Sequence, residues 1–257
     1  MEKRGIDVSK WQGDVDWESV KRSGKVDFAI LRAGYGSSDG QKDPQFERNY
    51  AECTRLGIPV GAYWYSYATT VTQAQQEMQC FLRAIEGKRL EYPVYFDQEY
   101  ENSIISLSPE QRTAVVKAAL EVLEDAGYYA GLYCSRDWIN NYLLADQLTA
   151  YDFWIADYTD AEPSPGKLPY GMRQTDSRNS LGVPGFGTIL DCDVVYKDYP
   201  EIIKGAGLNG CGTGDEDAPE KIGSQFVIGP VSSGDAETIR ALCRKLDLYT
   251  QNLVMEV

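Results

Sequence analysis

A chain of 257 residues, 43% hydrophobic and 25% charged, is long enough for one large domain, or for one domain with a small appendage. Its net charge of −14 argues against nucleic acid or an anionic membrane surface as a ligand. Histidine is absent, which removes Ser-His-Asp and Cys-His catalysis together with the His-based zinc hydrolases, and leaves carboxylates as the acid–base groups. The six cysteines, at 53, 80, 134, 192, 211 and 243, form no CxxC pair. They read as small buried hydrophobes or free thiols, not as a disulfide framework or a zinc site, and no metal or cofactor is expected. The opening MEKRGIDVSKW has no apolar core of a signal peptide, and no run of about 18 apolar residues occurs. A soluble protein without a classical secretion signal is expected.

Residues 3–9 read as a short strand with Gly5, Asp7 and Ser9 on one face, so that Asp7 stands just before the loop KWQGDVDW. Residues 26–33, VDFAILRA, form a buried strand that carries Arg32 and runs into the turn GYGSSDG. Asp43-Pro44 is a helix start, and Phe46, Tyr50 and Cys53 carry the buried stripe until Gly57 stops it. The next strand, 58–67, places Tyr63 and Tyr65 on one face. Thr72 with Gln75 forms a capping box for a helix whose stripe is Met78, Phe81, Leu82 and Ile85, closed by Gly87.

The stretch 91–101, EYPVYFDQEYE, alternates with the period of a strand. Asp97 and Glu99 then share a face with Tyr95, roughly 6–7 Å apart along the chain. Two acids that close cannot both ionise freely; one pKa rises, and that group can act as an acid near neutrality. A paired carboxylate at a strand end is what glycosidic cleavage requires, although a solvated acidic edge has the same pattern. Further on, Ser108-Pro109-Glu110-Gln111 caps a helix that turns Val115, Ala119, Val122 and Ala126 inward and ends at Gly127.

Residues 128–134 and 151–156 are two more strands, carrying Tyr133 and Trp154 and separated by the helical SRDWINNYLL. Alternation of strand and helix makes this an α/β chain with a parallel sheet and right-handed crossovers, best closed as a modified (β/α) barrel resembling a TIM barrel. After Asp160 the texture changes to short strands set apart by Pro and Gly with no helix between them, so a short antiparallel closing section is expected. Its last strand, 189–195, ILDCDVV, brings in Asp191. Active sites of barrels lie at the C-terminal strand ends, where Asp7, Glu99 and the tyrosines fall.

The expected catalytic domain covers 1–205. Residues 206–221 have the Gly-, Asp- and Glu-rich composition of a linker, and 222–257 form a small module. In that module a strand at 225–228 precedes a helix opened by Ser232 and Asp235, with Ile239, Leu242, Cys243 and Leu246 on one side, and 253–257 form a second strand. A β-α-β element this small cannot bury enough apolar surface alone, so it should pair with a second copy as a homo-oligomer or dock on the barrel.

Six motifs, GIDVSKWQGDVDW, RAGYG, GAYWYSYA, YFDQE, FWIADY and LDCDVV, occur in this order and resemble the glycoside hydrolase family 25 (Chalaropsis-type) lysozymes over about residues 4–200. The resemblance implies a barrel that hydrolyses the β-1,4 bond between N-acetylmuramic acid and N-acetylglucosamine in bacterial peptidoglycan, as in a phage endolysin or a secreted homologue. It matches Glu99 to the general acid, Asp97 to its partner carboxylate, and Asp7 and Asp191 to two further acids of the groove. Tyr63, Tyr133 and Trp154 match aromatics in or near the sugar cleft. Trp64 departs from a family histidine, and Met172-Arg173-Gln174-Thr175 from a WQY-like segment; both departures bear on aromatic stacking at the groove wall. The tail resembles SPOR-like glycan-binding modules over a short stretch, implying wall targeting or oligomerisation.

Each residue also has a plainer reading. Asp7 would cap the next turn, Asp191 would pair with a basic residue, and Tyr63, Tyr65 and Trp154 would fill the barrel. Arg32 would bind a lactyl carboxylate or peptide stem, or else form a structural ion pair. Catalysis by the substrate's own acetamide with Asp97 assisting, giving retention, stands beside water activation by Asp97 or Asp7, giving inversion. A catalytically silent peptidoglycan-binding protein is the alternative outside enzymes.

Overall fold

The computed structural model describes residues 2–159 and 170–212. Within them the chain closes a barrel of eight strands: β1 (Lys3–Val8), β2 (Phe28–Tyr35), β3 (Val60–Tyr65), β4 (Val94–Asp97), β5 (Ala130–Ser135), β6 (Asp152–Ala156), β7 (Met172–Asp176) and β8 (Asp191–Val195). Strands β1 to β7 run parallel, each to the next, while β8 is antiparallel to both β7 and β1. The α/β barrel is as expected, but its antiparallel section is this one strand. No helix lies between β7 and β8, and a connection without a crossover can only reverse the chain.

Around the barrel lie α1 (Trp17–Ser23), α2 (Phe46–Leu56), α3 (Val71–Ile85), α4 (Asn102–Ile105), α5 (Pro109–Asp125), α6 (Arg136–Asn141) and α7 (Tyr199–Ala206). None of the described helices is long and apolar enough to cross a membrane. Period-two alternation divides the core into two layers. Outward residues such as Ala29, Leu31 and Ala33 of β2 meet Phe46 of α2 and Met78 and Phe81 of α3. Inward residues, among them Phe28, Ile30, Tyr95, Trp154, Met172 and Val195, fill the lumen, joined from below by Tyr92 and Tyr199. Phe28 and Tyr92 stack with ring centroids 4.3 Å apart. The packing leaves no room for a side chain at residue 5, where a Cβ would meet the Phe28 ring at 2.2 Å, so glycine is required there. The filled lower lumen restricts the open space to the upper end.

Local signals were overridden in specific places. The Ser108 and Gln111 capping box opens α5 as expected, but Leu120 and Leu123 face the core, Val122 is half-buried and Ala126 is exposed. Helix α3 is capped by Thr70, which accepts from the Gln73 amide at 3.2 Å, and not by Thr72. Gln73 returns the contact to Thr69, so the earlier threonines win the cap from a run in which each could offer a hydroxyl. Helix α2 begins at Phe46 with Gln45 at its cap position and no cap from that side chain; Asp43, two residues earlier, accepts the Gln45 amide at 2.9 Å on one oxygen and Arg32 on the other. Helices α1, α4 and α7 are absent from the sequence reading; α1 buries only Trp17 and Val20, and α7 only Tyr199 and Ile203, too little to show a period.

Residues 206–212 were assigned above to the linker, but Leu208, Asn209 and Cys211 are buried. Asn209 bonds through both its backbone and both its side-chain polar groups beneath the barrel. Its amide bonds Gly127 O at 3.1 Å and its carbonyl accepts from Leu90 at 3.0 Å, while its side chain accepts from Tyr129 at 2.7 Å and donates to Tyr92 O at 2.8 Å. The domain therefore extends past 205. The rest of the linker, the β-α-β element and Cys243 lie outside the described residues. The other five cysteines are buried and free.

Candidate active site

Inward positions at the upper ends of the strands carry acids from three directions. Asp7 on β1 stands opposite Asp191 on β8, and Asp193 stands one inward step deeper, opposite Gly5. Burial, then the charges of Asp193 and Asp191, push the Asp7 carboxyl well above its ordinary range, against a hydrogen bond from Gln174. Burial lifts Asp193 likewise, although Trp154 Nε1 donates to it at 2.9 Å. Asp191, less enclosed, is pushed up to about 6 by burial and by Asp176. Asp193 was not among the expected site residues; its signal lay in ILDCDVV, where a period of two puts it on the face of Asp191.

Strand β4 ends at Asp97, and Glu99 continues the same side in the segment that follows. Between them Gln98 turns the other way, fully buried, accepting from Trp138 Nε1 at 3.1 Å. Asp97 is buried and Glu99 half-buried. Each carboxyl feels the other, and two acids so placed do not both ionise freely. Burial, then the Glu99 charge, raises Asp97 well above its ordinary range, with Arg32 opposing. Glu99 is raised too, by burial and then by Glu101 and Asp191, while the Asp97 hydrogen bond pulls it down. Asp97 lies deeper than Glu99, which is the more accessible of the two.

The expected binding residues fall into two groups. Tyr65 reaches the opening, half-buried, and donates to Glu101 Oε1 at 2.7 Å. Tyr63 is half-buried below it, with its ring edge-on to Trp154 at 5.9 Å. Tyr133 and Trp154 are buried in the floor, so they offer no open stacking face. Trp154 holds Asp193, and Tyr133 donates to Gln174 Oε1 at 2.9 Å. Arg32 faces the lumen but its Nε is bound to Asp43 at 2.7 Å, the ion-pair reading, while its buried Nη2 has no partner. Trp64 points the other way, toward α3, stacked on Phe81 and bonded to Gly36 O at 2.9 Å. Its departure from a histidine therefore leaves the groove wall untouched.

Open aromatic surface comes instead from residues just past the strand ends: Trp11 after β1, Tyr67 after β3, Tyr100 after β4 and Tyr158 after β6, between 44% and 76% exposed. Single exposed aromatics at loop starts carry no periodic signal, which is why the period-based reading passes over them.

A histidine-free α/β barrel with carboxylates gathered at one mouth is an arrangement suited to paired-carboxylate chemistry. The chain belongs to the glycosyl hydrolases family 25, whose family model matches residues 6–180. It is 26% identical over 188 residues to YegX of Escherichia coli K12, covering 70% of this chain and 66% of that one. The autolytic lysozyme of Clostridium acetobutylicum is 25% identical over 182 residues, 71% of this chain and 53% of its own. The modular autolysin LytC of Streptococcus pneumoniae superposes with a TM-score of 0.67 at 28% identity, over 76% of this chain and 47% of LytC. The chain thus spans between about half and two thirds of the length of these relatives.

Proposed function

We propose that this protein is a muramidase that hydrolyses the β-1,4 bond between N-acetylmuramic acid and N-acetylglucosamine in bacterial peptidoglycan. Support for the substrate comes from relatives named as lysozymes and from LytC, which has been solved in complex with a synthetic peptidoglycan ligand. The observation that carries the reading is the gathering of Asp7, Asp191, Asp97 and Glu99 at the barrel mouth. Glu99, more accessible than Asp97 and raised by burial, protonates the leaving glycosidic oxygen. Asp97 is then the carboxylate, and accepts from the acetamide N–H so that the acetamide oxygen can attack C1 as the C1–O bond breaks. Water then opens the cyclic intermediate and returns a proton to Glu99, which gives retention. Asp7 and Asp191 stabilise the developing positive charge.

Glu99→Gln should abolish clearing of purified cell walls, by at least about 10³-fold in rate, while leaving the fold intact by circular dichroism. Clearing at the wild-type rate would remove Glu99 from the mechanism. Digested walls should gain muramic-acid reducing ends, which glucosaminidases and amidases do not produce. An NMR time course should show the β anomer first; an initial α product would exclude retention.

A further inference from the structure

Gln174, on β7, is buried in the lumen and touches three groups of the site. Its Nε2 donates to Asp7 Oδ2 at 2.7 Å. Its Oε1 accepts from Tyr133 at 2.9 Å and from Tyr158 at 2.7 Å. An amide oxygen has two lone pairs, and here two tyrosine hydroxyls fill both. Turning the amide over would set its oxygen against the Asp7 carboxyl and lose that donor, so the two tyrosines fix which end faces Asp7. The other Asp7 oxygen has no protein hydrogen bond among the described residues and is free for the lumen.

We propose that Gln174 is the positioning residue of Asp7: oriented by Tyr133 and Tyr158, it donates to one Asp7 oxygen, fixes the carboxyl and leaves the other oxygen to the lumen for the reaction. The part played by Asp7 in that reaction rests on the muramidase reading given above. The neighbourhood explains why such a device is needed. Asp7 faces Asp191 and Asp193 on β8, Asp97 on β4, Tyr63 on β3 and Tyr133 on β5, with Tyr158 above it. Arg32 on β2, the cation on this side of the lumen, is already engaged by Asp43. Without the amide, burial and three acids act on Asp7 with no hydrogen bond against them. Tyr158 is 55% exposed, so its hydroxyl ties an open part of the rim to the buried amide.

The test compares wild type with Gln174→Met, which keeps length without a donor, and with Tyr158→Phe, which removes one lock from an exposed position. The Asp7 carboxyl is followed by ¹³C NMR through a pH titration, and wall digestion is measured as kcat and KM across pH. In Gln174→Met the Asp7 titration should move up by about 0.5–1 pH unit, the worth of one net hydrogen bond. The acid limb of kcat should move the same way, kcat should fall about tenfold or more, and KM should change by less than about twofold. Tyr158→Phe should shift both readouts in the same direction by a smaller amount, and it decides the matter if Gln174→Met does not fold. An unmoved Asp7 titration in the folded variants would overturn the proposal whatever the enzyme does to walls. A shifted titration with unchanged kcat and acid limb would overturn the catalytic part alone. A wild-type enzyme without muramidase activity would defeat the functional reading, not the Gln174–Asp7 link.

Discussion

The side chain of Asp43 has no exposed surface and holds three donors: Arg32 Nε at 2.7 Å and the Lys10 amide at 3.0 Å on one oxygen, and the Gln45 amide at 2.9 Å on the other. One carboxylate thus joins the loop after β1, strand β2 and the start of α2. Removing it strands a buried guanidinium, so Asp43→Ala should cost about 3–5 kcal/mol in urea unfolding. Adding Arg32→Met should recover part of that loss, and a double-mutant cycle measures the coupling. At this scale the site was partly legible. Asp7, Asp97, Glu99 and Asp191 could be picked out because acids on alternating apolar strands stand out. Gln174 could not, since a buried amide leaves no pattern. Nor could sequence tell that Trp154 serves Asp193 from below, because an inward tryptophan looks the same as floor or as platform.

Among the helices, Arg112 of α5 shows how one polar residue can fasten several elements. It donates to Tyr142 O at 2.7 Å, Ile105 O at 3.0 Å and Leu107 O at 2.6 Å, and its guanidinium lies 5.6 Å from the Trp138 ring and 5.3 Å from that of Tyr142. The carbonyls at the end of α4 and the turn after α6 would otherwise lack donors. Arg112→Lys keeps the charge but loses the planar fork, and should lower stability by about 2–3 kcal/mol in thermal or urea unfolding. Ser108→Ala should cost about 1 kcal/mol, the usual worth of an N-cap. That cap was readable because serine, proline and glutamine stand at fixed offsets. The start of α3 was misplaced because three threonines in TTVT make equivalent offers, and only the packed register chooses between them.

Across the whole molecule, the mouth acids make stability depend on pH. A carboxyl raised on folding binds more protons in the native than in the unfolded chain, so stability falls as pH rises through the interval between its two values. For Asp191 that interval runs from about 4 to about 6, and Asp7, Asp97 and Asp193 extend it upward. Surface acids with lowered values, such as Asp16, Asp39 and Asp137, act oppositely and only at lower pH. The melting temperature should therefore be higher near pH 5 than near pH 7.5 and fall again below about pH 3.5. Asp191→Asn should flatten the decline above pH 5, and an unchanged slope would show that Asp191 titrates normally. The barrel class could be read from alternating strands and helices, and the antiparallel closure from the missing helices after Asp160, whereas no local residue told that β7 still runs parallel to β6 and that the reversal is confined to β8.

Because β8 runs against its neighbours, it enters at the mouth with Asp191 and leaves at the opposite pole, where α7 and Asn209 continue underneath. Residue 212 is therefore reached at the pole away from the acids, beneath the barrel floor. Nothing up to that point on this side takes part in the mouth, so ending the chain after 212 should leave turnover of small soluble glycans as it was, measured against the full chain.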